Sequence, residues 1–416
     1  MSYSKFEEYL SKVISKVKSR EAHSMIKKEL SNHMEELSQS FQERGLSVKD
    51  ADKKAMQEMG EPSIVGENMN HLHKPRMDWL LIVLFVILAA ISFLPLIHGV
   101  SASSISFIKN QAVWLFLSIL ALIGFLFFDY RKLKNLWMYF YGGGLIVFFT
   151  TFLVGIEMNG AKRWISFGGI TIDGPAISLF LFLIAWAGIF AKSSEFKGWK
   201  KQAALLCLFW IPVPLYVMVP QFTFSIIYFL CVLAMYVFSY APKQYSMKVS
   251  VGNLILGIIF ISTMIPHFSN SNLVDTLIPL RNILSEAGWF GNGLYHNLNL
   301  PEAHTDFVFP FLIYSFGWVF GTILCLLLFA FILRISLNAF QTKDLFGRLL
   351  AIGGAVLFVV PTCWSILTGL GIAPIITVSL PFISYGGSML LVYSSLLGLI
   401  LNVYRRKDIA APTITN

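Results

Sequence analysis

Residues 79–97 read Trp79-Leu-Leu-Ile-Val-Leu-Phe-Val-Ile-Leu-Ala-Ala-Ile-Ser-Phe-Leu-Pro-Leu-Ile97, a run without one charged side chain. At about 1.5 Å per residue, a helix of this length crosses most of the roughly 30 Å hydrocarbon layer of a bilayer. No water reaches the backbone there, so every N–H and C=O must be paired within the segment, and a helix does that. Similar apolar runs follow at 112–128, 137–156, 177–191, 203–219, 222–240, 249–265, 307–335, 349–372 and 389–403. The expected fold class is all-α: a polytopic membrane bundle of ten transmembrane helices with a small helical domain ahead of it.

Composition agrees. The 416 residues are 56% hydrophobic and 13% charged, against about 25% charged in soluble domains. The net charge of +9 is distributed as membrane topology demands rather than as a nucleic-acid footprint, so no nucleic acid is expected as partner. Lys74/Arg76, Arg131/Lys132/Lys134, Lys192/Lys197/Lys200/Lys201, Lys243/Lys248, Arg348 and Arg405/Arg406/Lys407 all fall on one side of the bundle. That side is expected to be cytoplasmic, with both termini inside and no cleavable signal peptide. Lys109, Lys162, Arg163 and Arg281 fall on the opposite side and break the trend. Cys207, Cys231, Cys325 and Cys363 lie in apolar runs without CxxC spacing; they read as small buried hydrophobes, and no metal site is expected.

Residues 1–73 differ from the rest. Phe6, Tyr9, Leu10, Val13, Ile14 and Val17, then Ile26, Leu30, Met34, Leu37 and Phe41, recur at helical spacing. Gly45 reads as a stop, Ser47 as the cap of a third helix carrying Ala51, Ala55 and Met59, and Gly60 with Pro62 as its end. The expected organisation is a three-helix cytoplasmic domain over 1–73, a membrane domain over 74–407 and a tail over 408–416. With His33-Met-Glu-Glu-Leu, Gly45-Leu-Ser and Met59-Gly60-Glu-Pro62, the first segment resembles short helical prefix domains of bacterial membrane proteins, which implies regulation.

Three outer segments carry the chemistry. The longest runs from Pro266 to Asp306, and loops of that length are functional or disordered; this one is too rich in Leu, Ile, Trp and Phe for disorder. Its end, Leu300-Pro301-Glu302-Ala303-His304-Thr305-Asp306-Phe307, reads as a helix start with Asn299 as cap and Pro301 in the first turn. Glu302 and Asp306 would then share a face. Asp306 is the last acid before a long apolar run, where desolvation raises proton affinity and makes a general base; an ordinary charged helix start is the other reading. The second segment, Asn159-Gly160-Ala161-Lys162-Arg163-Trp164-Ile165 with Gly168-Gly169, sets two cations beside a Trp. That pattern binds phosphate or anchors at the interface. In the third, Ser379-Leu380-Pro381-Phe382-Ile383-Ser384-Tyr385-Gly386-Gly387-Ser388, paired glycines demand non-helical backbone at membrane depth, which marks a cavity.

Together these segments resemble the SEDS family of bacterial cell-wall proteins (RodA, FtsW and SpoVE). The family's GARRW, LPEAHTDFIF and LPFISYGGSS stretches are matched, in order, at 160–164, 300–309 and 380–388. Phe107-Ile-Lys109-Asn-Gln111 and Asp129-Tyr130-Arg131 also fit. The resemblance covers about 79–407 and implies polymerisation of lipid II, a lipid-linked disaccharide-peptide, outside the bacterial cytoplasmic membrane, in cell shape, division or sporulation. It implies Asp306 as catalytic base, with Glu302, His304, Thr305, Pro301, Ser384, Tyr385, Gly386, Gly387 and Ser388 around the substrate. Lys162, Arg163, Trp164 and Arg281 would meet its phosphates, and a divalent cation, Mg or Mn, could share that work. The implied partners are lipid II, membrane lipids and a single-pass transpeptidase, a class B penicillin-binding protein. Three features depart from the family. Its QPSE or QPAE stretch is replaced by Asp173-Gly174-Pro175-Ala176-Ile177-Ser178, its Glu pair by Ile313-Tyr314-Ser315-Phe316-Gly317, and its LKPYQ-type stretch is missing near Tyr245 to Val249. A non-catalytic partner in wall or spore-coat assembly and a lipid flippase are the alternative readings.

Overall fold

The computed structural model describes residues 6–73, 75–97, 102–158, 161–168, 170–192, 199–219, 222–239, 251–259, 262, 273–294, 300, 302–373 and 378–407. Two compact units divide the chain, Met1–Met77 with Tyr404–Asn416, and Asp78–Val403.

The first unit holds α1 (Glu7–Lys16), α2 (His23–Glu43), α3 (Val48–Glu58) and α4 (Pro62–Leu72). The periodic apolar positions form its core: Phe6, Tyr9, Leu10, Val13 and Val17 pack with Ile26, Leu30 and Met34, and a smaller cluster joins Phe41, Ala51 and Ala55. Ser47 caps α3 by accepting the Asp50 N–H at 3.3 Å. The expected three helices are four. Pro62 opens a helix instead of closing one, because the first helical position needs no N–H and Pro holds the required φ. The Tyr9 hydroxyl donates to the Gly60 carbonyl at 3.0 Å and ties the turn before α4 to α1.

The second unit comprises α5 (Trp79–Ile91), α6 (Ala102–Phe127), α7 (Trp137–Val154), α8 (Gly174–Ala191), α9 (Trp199–Trp210), α10 (Pro212–Met218), α11 (Phe222–Phe238), α12 (251–259), α13 (Leu273–Glu286), α14 (Val308–Gln341), α15 (Leu345–Gly369) and α16 (Gly387–Arg405). Among the described residues, eight helical segments are long and apolar enough to cross a membrane, and Phe222–Phe238 is apolar but shorter. The expected seventh run, 249–265, lies partly outside the described residues. The protein is a polytopic helical membrane protein. In α8 and α16, 83% of the most apolar window is buried, against 22% in the spans that contain α6 and α7. The former pair forms the centre, and the latter turn Phe116, Leu120, Leu153 and Val154 outward, where lipid replaces water as solvent. Cys231 is buried as expected, but Cys207 and Cys363 are exposed, all four thiols being free. On an outward face of an apolar helix a thiol needs no packing partner, so an apolar run alone does not imply burial.

Two polar devices hold the bundle. Asp78, 2% exposed, caps α5 through the Leu81 N–H and accepts from Arg334 Nε and Asn338 Nδ2, each at 2.7 Å, which staples α5 to α14. Removing one partner of such a buried pair leaves an uncompensated charge. Helix α14 is broken at Gly317 (φ 84°, ψ 173°). The freed groups are re-paired by the 288–293 loop: Asn292 and Gly293 N–H donate to the Tyr314 and Ser315 carbonyls, and Trp318 and Val319 N–H to those of Gly288 and Trp289. A Cβ at Gly317 would stand 2.2 Å from the Trp289 oxygen, so only glycine fits.

Candidate active site

The Arg-Trp segment, expected as a loop, is a three-stranded antiparallel meander: β1 (Ile156–Met158), β2 (Ala161–Phe167) and β3 (Ile170–Asp173). Ile156 faces Trp164 and Glu157 faces Lys162, so Arg163 is the extra residue of a bulge. A bulge re-aims its side chain. Arg163 turns to Asp173, where its Nε donates at 3.0 Å and a terminal nitrogen donates more closely to the same carboxylate oxygen. The guanidinium lies 4.8 Å from the Trp164 ring centroid and 5.9 Å from that of Phe224. Asp173, 1% exposed, also caps α8 through the Ala176 N–H. Arg163 is therefore not a free cation, although its side chain keeps 14% exposure. Lys162 is exposed.

The acidic segment also departs from expectation. The helix start expected at Pro301 lies, like Asn159, Gly160, Gly169 and Asn299, outside the described residues. Residues 302–307 form successive turns and α14 begins at Val308. Glu302 has φ +52°, and its carbonyl accepts the Thr305 and Phe307 N–H at 3.1 and 3.2 Å. The Thr305 hydroxyl donates to the Glu302 carboxylate at 2.6 Å. Glu302 and Asp306 thus share a run of turns rather than one helix face.

The third segment supports this turn. Ser384 Oγ accepts from Leu380 N–H at 2.8 Å and donates to the Thr305 carbonyl at 2.7 Å, while Tyr385 N–H donates to the His304 carbonyl at 2.8 Å. Its backbone is strained at Phe382 (φ +64°), at a cost of about 1–2 kcal/mol. The Phe382 ring lies 5.1–5.8 Å from those of Phe85, Phe331, Phe358 and Tyr393, and aromatic pairs worth about 0.5–1.5 kcal/mol each offset the strain. Gly386 leads into α16. A Cβ on Gly387 would come within 2.0 Å of the Trp114 ring, so glycine there admits α6. Ser388 Oγ accepts the Asp173 N–H at 2.9 Å. The rings of Phe107, His304 and Tyr385 meet at 5.0–5.5 Å.

All three segments therefore converge. Ser388 binds the β3 end, Ser384 and Tyr385 bind the acidic turn, and the Arg163 charge is felt at Asp306. Burial raises the Asp306 pKa to about 6; Arg163 pulls it down and Glu302 pushes it up. Burial also lowers the His304 pKa, against Glu302, which keeps the ring neutral at pH 7. Arg281 has a separate setting on α13. It donates to the Gly371 carbonyl at 3.0 Å and lines a groove of about 490 Å³ with Trp289 and Trp318. Sequence reading missed Asp173 as the partner of Arg163; its signal was an acid directly before Gly-Pro at the start of an apolar run, a helix-cap pattern.

The FtsW/RodA/SpoVE profile, described as cell cycle protein, matches residues 75–409. The chain belongs to this family. Among its relatives, the probable peptidoglycan glycosyltransferase FtsW of Acinetobacter baylyi is 27% identical over 62% of this chain and 70% of its own. That of Aliivibrio salmonicida is 25% identical over 82% and 95%. The fold is similar to that of Thermus thermophilus rod shape determining protein RodA (TM-score 0.62, 23% identity, 80% of this chain and 97% of that one). It is also similar to a chain of a peptidoglycan synthase complex that coordinates polymerization and crosslinking (TM-score 0.66, 24% identity, 80% and 98%). Within 173–178, Ile177 is the one residue that is not fully buried.

Proposed function

We propose that this chain is a peptidoglycan glycosyltransferase that polymerises lipid II at the outer face of the bacterial cytoplasmic membrane. The observation that carries the reading is Asp306, a carboxyl with a pKa of about 6 at the head of a membrane helix, held where the three segments meet. A general base works best with a pKa near the operating pH. An ordinary aspartate is ionised at neutral pH but too weakly basic; Asp306 stays largely ionised and is about two units more basic.

An acceptor sugar hydroxyl attacks the anomeric carbon of the donor, its proton passes to the Asp306 carboxylate, and the bond from that carbon to the lipid diphosphate breaks. Charge grows on the departing diphosphate, and a preorganised cation there lowers the barrier. Arg163 supplies it: a guanidinium has five N–H donors, of which Asp173 occupies only part. Lys162, on the same strand and exposed, assists. Thr305 positions Glu302, and Ser384, Tyr385 and the neutral His304 hold the turn.

Among the described residues, no group of three or more His, Cys, Asp or Glu is placed to hold a metal. Glu302 and Asp306 are two carboxylates on one short run of turns, which fits a Mg or Mn ion held by one or two carboxylates plus substrate phosphates. Bound there, the ion would neutralise diphosphate charge. A class B penicillin-binding protein is the partner we assign, supported by the likeness to a synthase-complex chain. Both termini are placed in the cytoplasm on the distribution of Lys and Arg.

The test is polymerisation of labelled lipid II by purified wild type and Asp306→Asn. Long glycan chains from wild type alone support the enzyme. A folded, partner-bound wild type that makes none is a scaffold, and lipid translocation that survives the substitution marks a flippase.

A further inference from the structure

The Met1–Met77/Tyr404–Asn416 unit contains a cavity of about 630 Å³ lined by Lys18, Arg20, Asn70, His71 and Arg405, together with Ser19 and Pro75. That is within the roughly 300–1,000 Å³ range of small-molecule sites. Three of its residues are permanent cations, a fourth is His, and none is acidic. Elsewhere in this unit exposed cations find carboxylates: Lys12 pairs with Glu8 at 2.7 Å and Lys27 with Glu7 at 3.1 Å. Lys18 and Arg20 make no ion pair among the described residues.

The wall is built rather than draped. Asn70 Oδ1 accepts the Lys18 N–H at 2.9 Å, fixing the turn between α1 and α2 against the end of α4. Arg76 N–H donates to the Arg405 carbonyl at 3.4 Å. Like charges gathered in a concave surface focus the field and raise the local anion concentration. Arg and Lys together suit phosphate, one by planar donors and the other by point charge. Arg405 ends the span α16, and Pro75 stands just ahead of Trp79, where α5 starts.

We propose that this cavity is a binding site for a phosphate-bearing anion, supplied either by a lipid headgroup or by a soluble phosphate compound. It is independent of the chemistry assigned to Asp306.

The full-length protein is reconstituted in phosphatidylcholine nanodiscs and titrated calorimetrically with inorganic pyrophosphate. In parallel, phosphatidylglycerol retained from mixed micelles is counted by native mass spectrometry. Wild type is compared with Lys18→Gln/Arg20→Gln, both at exposed positions, and with the control Lys12→Gln/Lys27→Gln, at an exposed and a half-buried position. Saturable pyrophosphate binding weakened at least tenfold in the first variant alone supports a soluble ligand. One retained phosphatidylglycerol lost in that variant alone supports a headgroup. Equal behaviour of wild type and the cavity variant in both assays, or equal loss in the control, overturns the proposal.

Discussion

Two regions of this molecule gather cations and treat them in opposite ways. At the outer junction, Arg163 is bent by a bulge onto the buried Asp173. In the cavity of the N-terminal unit, Lys18, Arg20 and Arg405 stand around a space that no carboxylate lines. The difference teaches how a charge is used. A cation paired with a buried acid shapes its surroundings as well: Arg163 holds the meander and tempers Asp306 without turning it into an ordinary weak acid, and keeps N–H donors to spare. A cluster of like charges in a concave wall attracts an anion that arrives from outside.

The largest effect expected is that of Asp306→Asn. Loss of the base should cut glycan formation by about 10²–10⁴-fold or more, measured as polymer from labelled lipid II. The same change should stabilise the fold. A carboxyl whose folded pKa is raised contributes stability below its unfolded pKa, and that stability is lost as pH rises through about 6. At pH 7 the amide removes a penalty of roughly 1–3 kcal/mol, visible as a higher Tm. A mutant that is inactive but less stable would mean that Asp306 is an ordinary structural charge.

Arg163→Ala and Arg20→Ala test the comparison directly. The first strands Asp173 in the interior and should cost about 3–5 kcal/mol; the second, at an exposed site, should stay within about 0.5 kcal/mol. Equal losses in thermal unfolding would erase the distinction between the two regions.

The pH profile sharpens the outer half. Because the base acts deprotonated, kcat/KM should fall as pH drops through about 6. Glu302→Gln removes a charge that raises the Asp306 pKa, so the acid limb should move to lower pH; a limb that stays in place would separate Glu302 from the base. The smallest effect is expected at Lys162. Lys162→Ala should leave stability within about 0.5 kcal/mol and raise KM for lipid II more than it lowers kcat, as steady-state kinetics would show.

Some of this was legible without coordinates. Leu10, Val13, Ile26 and Met34 are buried where helical periodicity puts them. Pro62 opens a helix where the sequence suggests an end, because Pro is compatible with either end of a helix and the contacts of the turn at Gly60 decide which. Residues 302–307, expected as the first turns of a helix, are non-helical turns because Ser384 and Tyr385, some eighty positions away in the chain, engage the carbonyls of Thr305 and His304. Local propensity does not include such partners. Nor could it show that Arg163 is the bulged residue, since register is a property of two strands.

The sequence by itself determined that this chain crosses a membrane many times and that three short segments carry its polar chemistry. Hydrophobic length and residue type are local quantities, and the bilayer admits few backbone solutions. Tertiary structure alone decided between the two readings of Asp306, half-buried and basic rather than an ordinary helix-start charge, and showed Asp173 to be buried and paired. That choice depends on distances between groups remote in the chain, where a few ångströms between an acid and a guanidinium outweigh any intrinsic preference.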